Sequence, residues 1–306
     1  MQIITNDQIA SLITMEDAIA TMRKAFAHFN EGGEMQSRVR IGKGDIKLSM
    51  MGAILPGTNV SGAKIYTTLN GRFTFIVVLF SNSDGSVLAV MEGESMTGFR
   101  TAAVTAIAAD HLALKDARTL AVFGTGFQAR AHVSALLQVR KFSKILVVGI
   151  ENCEAFADDI KRQYGVDCEV VSAAQAAAQA EVILTATRSD TPLFSGELLR
   201  PGAFVAAIGS SKPSAREIDD ATLRRARGIV VEWTPQAKTE AGDLLLAKAD
   251  VFRWDDVIEL PDVVSGYRCV RAHDDDIIVY KAIGVGMEDV ALAELIYQRT
   301  RNPEQG

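Results

Sequence analysis

The sequence predicts an α/β protein, a Rossmann-type doubly wound parallel sheet joined to a second, α+β domain. Three observations lead there. From Leu120 onward, short apolar runs alternate with stretches of helical periodicity, the pattern of a parallel sheet covered by helices. The turn Gly124-Thr125-Gly126-Phe127-Gln128-Ala129 breaks the first of those runs and opens a helix. Residues 37–93 read differently, as closely spaced β-rich segments with turn chemistry at each break.

In chain order, Asp17 to Asn30 carries Ala18, Ile19, Met22, Phe26 and Phe29 on one stripe, with Thr14 as N-cap and Gly32-Gly33 as terminator. One amphipathic helix is therefore expected to open the protein. Strands follow at Val39–Ile41, Lys47–Ile54, Ala63–Leu69, Phe73–Phe80 and Val87–Met91, and Asn70-Gly71 marks a hairpin. A helix rich in small residues runs from Ser95 or Thr97 to Leu114.

Leu120–Phe123 then reads as a buried strand and Gln128–Val139 as the helix after it. Lys144–Val148 is a second strand, Asn152–Tyr164 a helix and Cys168–Val171 a third strand; Glu181–Thr187 and Ala203–Ile208 are further buried runs. Gly228–Glu232 and Ile277–Ala282 read as strands, Asp243–Lys248 and Asp255–Leu260 as short helices, and Glu288–Thr300 as a final helix. Ligands of open α/β sheets bind outside the carboxyl ends of the strands. That places Thr185-Ala186-Thr187 and Gly209-Ser210-Ser211 among the candidate site residues.

Composition narrows the class of partner. A formal charge of −6 gives no basic footprint for nucleic acid, and 48% hydrophobic content excludes disorder, so a small-molecule substrate is expected. The N-terminus lacks a basic-then-apolar leader, and no run approaches the roughly 20 apolar residues of a membrane span, which predicts a cytoplasmic protein. Three widely spaced cysteines frame neither disulfides nor a zinc knuckle, and the four histidines lack ligand spacing, so no metal is expected.

The glycine loop is the expected dinucleotide anchor. Gly124 makes the turn, Gly126 lets backbone approach a pyrophosphate, Ala129 allows close packing, and the following helix offers its N-terminal N–H groups. Thr125, Phe127 and Gln128 belong to the same loop. Glu151 is the candidate for the ribose hydroxyls, and with no arginine there NAD is favoured over NADP. Met96–Ala103 sets Arg100 beside hydroxyls at what reads as a helix N-terminus, suited to an anion, and Thr101 joins the cofactor-binding candidates. Lys64 sits inside an apolar strand; Arg38 and Arg40 are not separable on pattern.

With these stretches assembled, the chain resembles the ornithine cyclodeaminase/mu-crystallin family over nearly its whole length. The matching stretches occur in order. They are Gly62-Ala63-Lys64, Met96–Ala103, Gly124–Ala129, Leu184–Thr187, Pro201-Gly202-Ala203, Ile208–Pro213, Arg216–Asp219, Gly242-Asp243 and Gly284–Asp289. The resemblance implies a homodimer whose subunits have a Rossmann domain at 116–283 and a substrate and dimerisation domain at 1–115 plus 284–306. It implies that Arg38, Lys64 and Arg100 grip the substrate carboxylate while NAD or NADP lies along Gly124–Ala129. The family's cyclodeaminases carry an aspartate where this chain has Ser211, and a serine hydroxyl lacks a carboxylate's basicity. The pattern is therefore closer to the ketimine reductase branch, which reduces cyclic imino acids, with Ser211, Lys64 and Arg100 as catalytic candidates. Ser95 keeps open a cis-3-hydroxyproline dehydratase, one form of a lyase reading that also covers ornithine cyclodeamination. A non-enzymatic, dinucleotide-responsive binding protein is the third expectation.

Overall fold

The computed structural model describes residues 1–301. The chain forms two compact units, one of residues 1–104 with residues 284 onward, the other Thr105–Ile283. Among the described residues no helix is long and apolar enough to cross a membrane.

The first unit is built on a seven-stranded sheet. Its strands are β1 (Gln2–Ile4), β2 (Glu34–Met35), β3 (Val39–Lys43), β4 (Ile46–Ile54), β5 (Val60–Leu69), β6 (Arg72–Ser81) and β7 (Val87–Glu92). The order is β1-β7-β6-β5-β4-β2, with β3 also on β4 and β1 alone running parallel to its neighbour. Asn70 and Gly71 both take positive φ in the two-residue turn from β5 to β6, as a tight hairpin requires. Strand alternation separates two faces. The inner row Met51, Lys64, Val77 and Met91 lies buried, and the Gly286–Arg301 helix packs on the sheet at β4, β5 and β6. The opposite row, Val39, Met50, Ile65 and Ile76, belongs to a face that also exposes Ile41 and Leu48.

The N-terminal region departs from the single helix expected. Two helices stand there, Asn6–Leu12 and Met15–His28, each started by a threonine capping box, Thr5 with Gln8 and Thr14 with Asp17. The first is only seven residues long, too short for a periodic stripe. The helix expected to begin at Ser95 or Thr97 begins at Glu94 and runs to Leu112, so Arg100 lies about two turns inside it rather than at its N-terminus. Packing, not the helix dipole, therefore sets Arg100's surroundings.

The second unit carries an eight-stranded, all-parallel sheet. Its strands are β8 (Thr119–Phe123), β9 (Lys144–Val148), β10 (Asp167–Val170), β11 (Val182–Thr185), β12 (Phe204–Ala207), β13 (Ala226–Val231), β14 (Ile258–Glu259) and β15 (Ile277–Lys281). The order is β10-β9-β8-β11-β12-β15-β13-β14. The chain winds one way from β8 through β9 to β10 and then the other way through β11 and β12, so the switch point falls beside β8, where the glycine loop sits. Ala121, Phe123, Leu146, Ile183, Val205, Val231 and Val279 belong to the buried core. The helix expected over Asp255–Leu260 is absent. A 3-10 turn at Trp254–Asp256, strand β14 and a helix at Leu260–Val264 replace it, and Pro261 in that helix's first turn fixes its start. Asp243–Lys248 shortens to Gly242–Leu245.

Candidate active site

In the first unit, buried Lys64, Arg100, Glu288 and Asp289 form a charged cluster, with half-buried Arg38 beside it. The register of β5 points Lys64 inward with Met51 and Val77, where it is 1% exposed. Its Nζ donates to Thr97 Oγ1 at 2.5 Å and to Asp289 Oδ1 at 3.1 Å, and lies 4.4 Å from the centre of the Phe75 ring. Arg100 Nη1 donates to Glu288 Oε2 at 2.5 Å, and its Nε lies 3.3 Å from Asp289 Oδ1. Arg38 Nη2 donates to the Gly284 carbonyl at 2.8 Å. Gly284 has φ +71 and leaves no room for a Cβ, which would stand 2.4 Å from Arg100 Nη1. The segment Gly284–Asp289 thus closes over the arginines and supplies both acids.

Arg38, Lys64 and Arg100 all converge on the Gly284–Asp289 segment. Two guanidinium forks beside an ammonium are the donor set that suits a carboxylate. Burial pushes the Lys64 ammonium down to about 8; Asp289 pulls it up, while Arg100 pushes it further down. At neutral pH it remains mostly protonated, close to the point of giving its proton up.

In the second unit, the glycine loop leaves β8 at the switch point. Gly124 takes φ +109, and a Cβ there would meet the Ala186 carbonyl at 2.6 Å, so only glycine lets this loop lie against the end of β11. A Cβ on Gly126 would meet open space. Gly126 caps the Phe127–Val139 helix without a side chain, leaving the first-turn N–H groups for an anion. Gln128 Oε1 is buried there with no hydrogen-bond partner. Thr125 donates to the Glu151 carbonyl at 3.0 Å, tying the loop to the segment after β9. An open glycine cradle and an uncapped helix start at the switch point fit a dinucleotide pyrophosphate. The Glu151 side chain is exposed beside this loop.

Beneath the next two strand ends lies a charged network that periodicity did not reveal. The fully buried Glu217 carboxylate accepts four hydrogen bonds. They come from Thr185 Oγ1 (2.7 Å), Gly209 N (2.7 Å), Thr187 N (2.8 Å) and Thr187 Oγ1 (2.6 Å). Asp243 Oδ1 accepts from the backbone N–H of Glu217 and Ile218, and Asp243 Oδ2 stands 2.8 Å from Lys281 Nζ. Lys281 in turn donates to the Ser210 carbonyl at 2.6 Å and to that of Ala207 at 3.3 Å. Glu217 and Asp243 fall in the short stretches Arg216–Asp219 and Gly242-Asp243; the available signal was charged residues standing among small ones at loop ends.

The other sequence candidates divide. Thr185 is fully buried and its hydroxyl is spent on Glu217, so it supports the loop rather than facing a ligand. Thr101 donates to the Thr97 carbonyl within its own helix. Ser95 gives its N–H to Asn6 Oδ1, and Thr97, not Ser95, is the hydroxyl that meets Lys64. Ser211 is half-buried directly after the Ser210 carbonyl held by Lys281, and Arg40 is exposed in β3 opposite Ser49.

The model of the ornithine cyclodeaminase/mu-crystallin family matches residues 1–304. The chain belongs to this family. Among family relatives, the ketimine reductase mu-crystallin of Mus musculus is 34% identical, over 91% of this chain and 90% of its own. The crystal structure of a probable ornithine cyclodeaminase from Bordetella pertussis Tohama I superposes with TM-score 0.97 at 44% identity, over 100% and 98% of the two chains. The Δ1-pyrroline-2-carboxylate reductase of Thermococcus litoralis, in complex with NADH and L-proline, gives TM-score 0.94 at 26% identity, over 99% and 98%. The family's parallel-sheet, dinucleotide-binding fold is that of the second unit.

Proposed function

We propose that this chain is an NAD(P)H-dependent reductase of small cyclic imino acids, taking a ketimine such as Δ1-pyrroline-2-carboxylate to the corresponding cyclic amino acid. The observation that carries the reading is the pairing of two receptors in one chain. The first unit gathers Arg38, Lys64 and Arg100 on the Gly284–Asp289 segment, and the second holds an open glycine cradle at the switch point of a parallel sheet. The Thermococcus and mouse relatives are both named as reductases of this class.

In this reading Arg38, Lys64 and Arg100 hold the substrate carboxylate, and the guanidinium forks fix its plane. Gly124–Ala129 would hold the pyrophosphate of the cofactor, with Thr187, Gly209 and Ser210 lining the strand ends beyond it. When bound, NAD(P)H supplies a hydride. Reduction adds that hydride to the imine carbon and a proton to the nitrogen, so the protein has to orient one ring and deliver one proton. Lys64 Nζ holds a proton near its release point, and the Ser211 hydroxyl is a neutral donor in the place where the cyclodeaminases keep an acid. NAD is favoured over NADP because Glu151 beside the loop repels a 2′-phosphate and no arginine follows β9 to receive one.

The exposed residues Val39, Met50 and Ile76, with half-buried Ile65 between them and Ile41 and Leu48 beside them, support a homodimer formed through this sheet face, since a contiguous apolar face is costly to leave in water. The likeness to the Bordetella protein supports a second reading, a lyase that turns over without net cofactor consumption. Incubation with Δ1-pyrroline-2-carboxylate and NADH or NADPH separates them. Loss of reduced-cofactor absorbance is expected; product from ornithine or cis-3-hydroxyproline at constant absorbance would favour the lyase.

A further inference from the structure

The Glu217–Asp243–Lys281 network is more elaborate than the burial of the strands above it requires. A carboxylate with no solvent contact is costly unless every lone pair is met. Glu217 is met by four donors, and all four lie on the two strand ends that face the dinucleotide crevice, Thr185–Thr187 after β11 and Gly209 after β12. The packing around it admits nothing larger. A Cβ on Gly209 would fall 2.3 Å from Glu217 Oε1 and 2.4 Å from the Thr187 carbonyl. Through Ala186 the same segment meets Gly124. Three consecutive strand ends are thereby fixed to one another by a single carboxylate and two glycines.

Lys281 supplies the second half. Its ammonium is fully buried and serves Asp243, which braces the backbone of Glu217, and the Ser210 carbonyl. We propose that Glu217 and Lys281 are positioning residues for the cofactor site. Glu217 locks the Thr187 and Gly209 loops at the spacing a dinucleotide requires, and Lys281, through the Ser210 carbonyl, sets the segment that presents Ser211. The proposal concerns how this chain holds its cofactor and stands apart from which imine is reduced.

A purely structural ion pair would be dispensable once its charges were balanced, since buried pairs replaced as a pair are often tolerated. The test uses that difference. The double variant Lys281→Met/Asp243→Asn removes both charges, keeps the Asn carbonyl for the Glu217 and Ile218 N–H groups, and deletes the tether to Ser210. NADH affinity is read by fluorescence titration and folding by thermal unfolding. The expected result is a folded protein whose Kd for NADH rises roughly 10–100-fold, the range typical when outer-shell supports of a site are removed. A folded double variant with the wild-type Kd would overturn the role of Lys281. If the double variant does not fold, Thr185→Val, an isosteric change that deprives Glu217 of one donor, carries the test. A raised NADH Kd is expected, and an unchanged one overturns the proposal. Because the readout is binding, a protein inactive on every imine would fail the proposed activity without touching this result.

Discussion

Lys64 offers the most informative perturbation. In the free protein its ammonium loses its proton near pH 8, because burial penalises the charge and Arg100 adds repulsion that Asp289 only partly offsets. At pH 7 about nine-tenths of the molecules therefore carry the charge, and at pH 9 about one-tenth. If the protonated Lys64 holds the carboxylate, affinity for L-proline, the expected product, should fall roughly tenfold per pH unit above 8. Product-inhibition constants measured from pH 6.5 to pH 9.5 read this directly, since the carboxylate of proline stays ionised throughout that range. Lys64→Met removes a charge-assisted hydrogen bond worth about 1.5–3 kcal/mol, so inhibition at pH 7 should weaken roughly 10–150-fold and the limb near pH 8 should vanish. Asp289→Asn removes the carboxylate 3.1 Å from Nζ and should move the limb about 1–3 units down in pH. A limb that persists unchanged in Lys64→Met would refute the assignment of Lys64 as the carboxylate's partner.

Other expectations follow from separate parts of the chain. Asp17 receives a two-pronged contact from Arg299 at 2.6 and 2.7 Å, which with Thr14 holds its carboxyl down at about 2. Its stabilising contribution should be complete above pH 4 and disappear as pH falls toward 2, and Asp17→Asn should cost at most about 2 kcal/mol at pH 7 in chemical denaturation, with no such cost near pH 2. Gly209→Ala drives a methyl into Glu217 and the Thr187 carbonyl, so NADH binding should fall by at least about tenfold in fluorescence titration, an expectation contradicted by wild-type affinity. Leu48→Asp/Ile41→Asp places charge on the exposed sheet face. Light scattering should then report a monomer in place of a dimer, and an unchanged mass would move the interface elsewhere.

Local chemistry made much of this molecule readable from the chain. The glycine loop, the Asn70-Gly71 hairpin and the alternation after Leu120 each rest on interactions within a few residues, and they stand where the spacing placed them. Lys64 and Arg100 were visible as charges in apolar surroundings. What the spacing could not give was their partner, because Glu288 and Asp289 arrive from about 190 to 225 residues later in the chain. The same holds for Lys281, which reads as the charged end of a strand until Asp243 and Ser210 are seen against it. Short elements failed for a different reason. Asn6–Leu12 and β1 present too few residues for a period to emerge, and Trp254–Val264 mixes a turn, a strand and a helix within one apparent helical stripe.

The most direct test follows both halves of the reaction together, counting L-proline formed and NADH consumed when the purified protein meets Δ1-pyrroline-2-carboxylate. One proline for each NADH, with turnover abolished or reduced by at least about 100-fold in Arg100→Met, is the predicted result. Failure to oxidise NADH or NADPH with this imine or with its six-membered homologue would contradict the reductase reading.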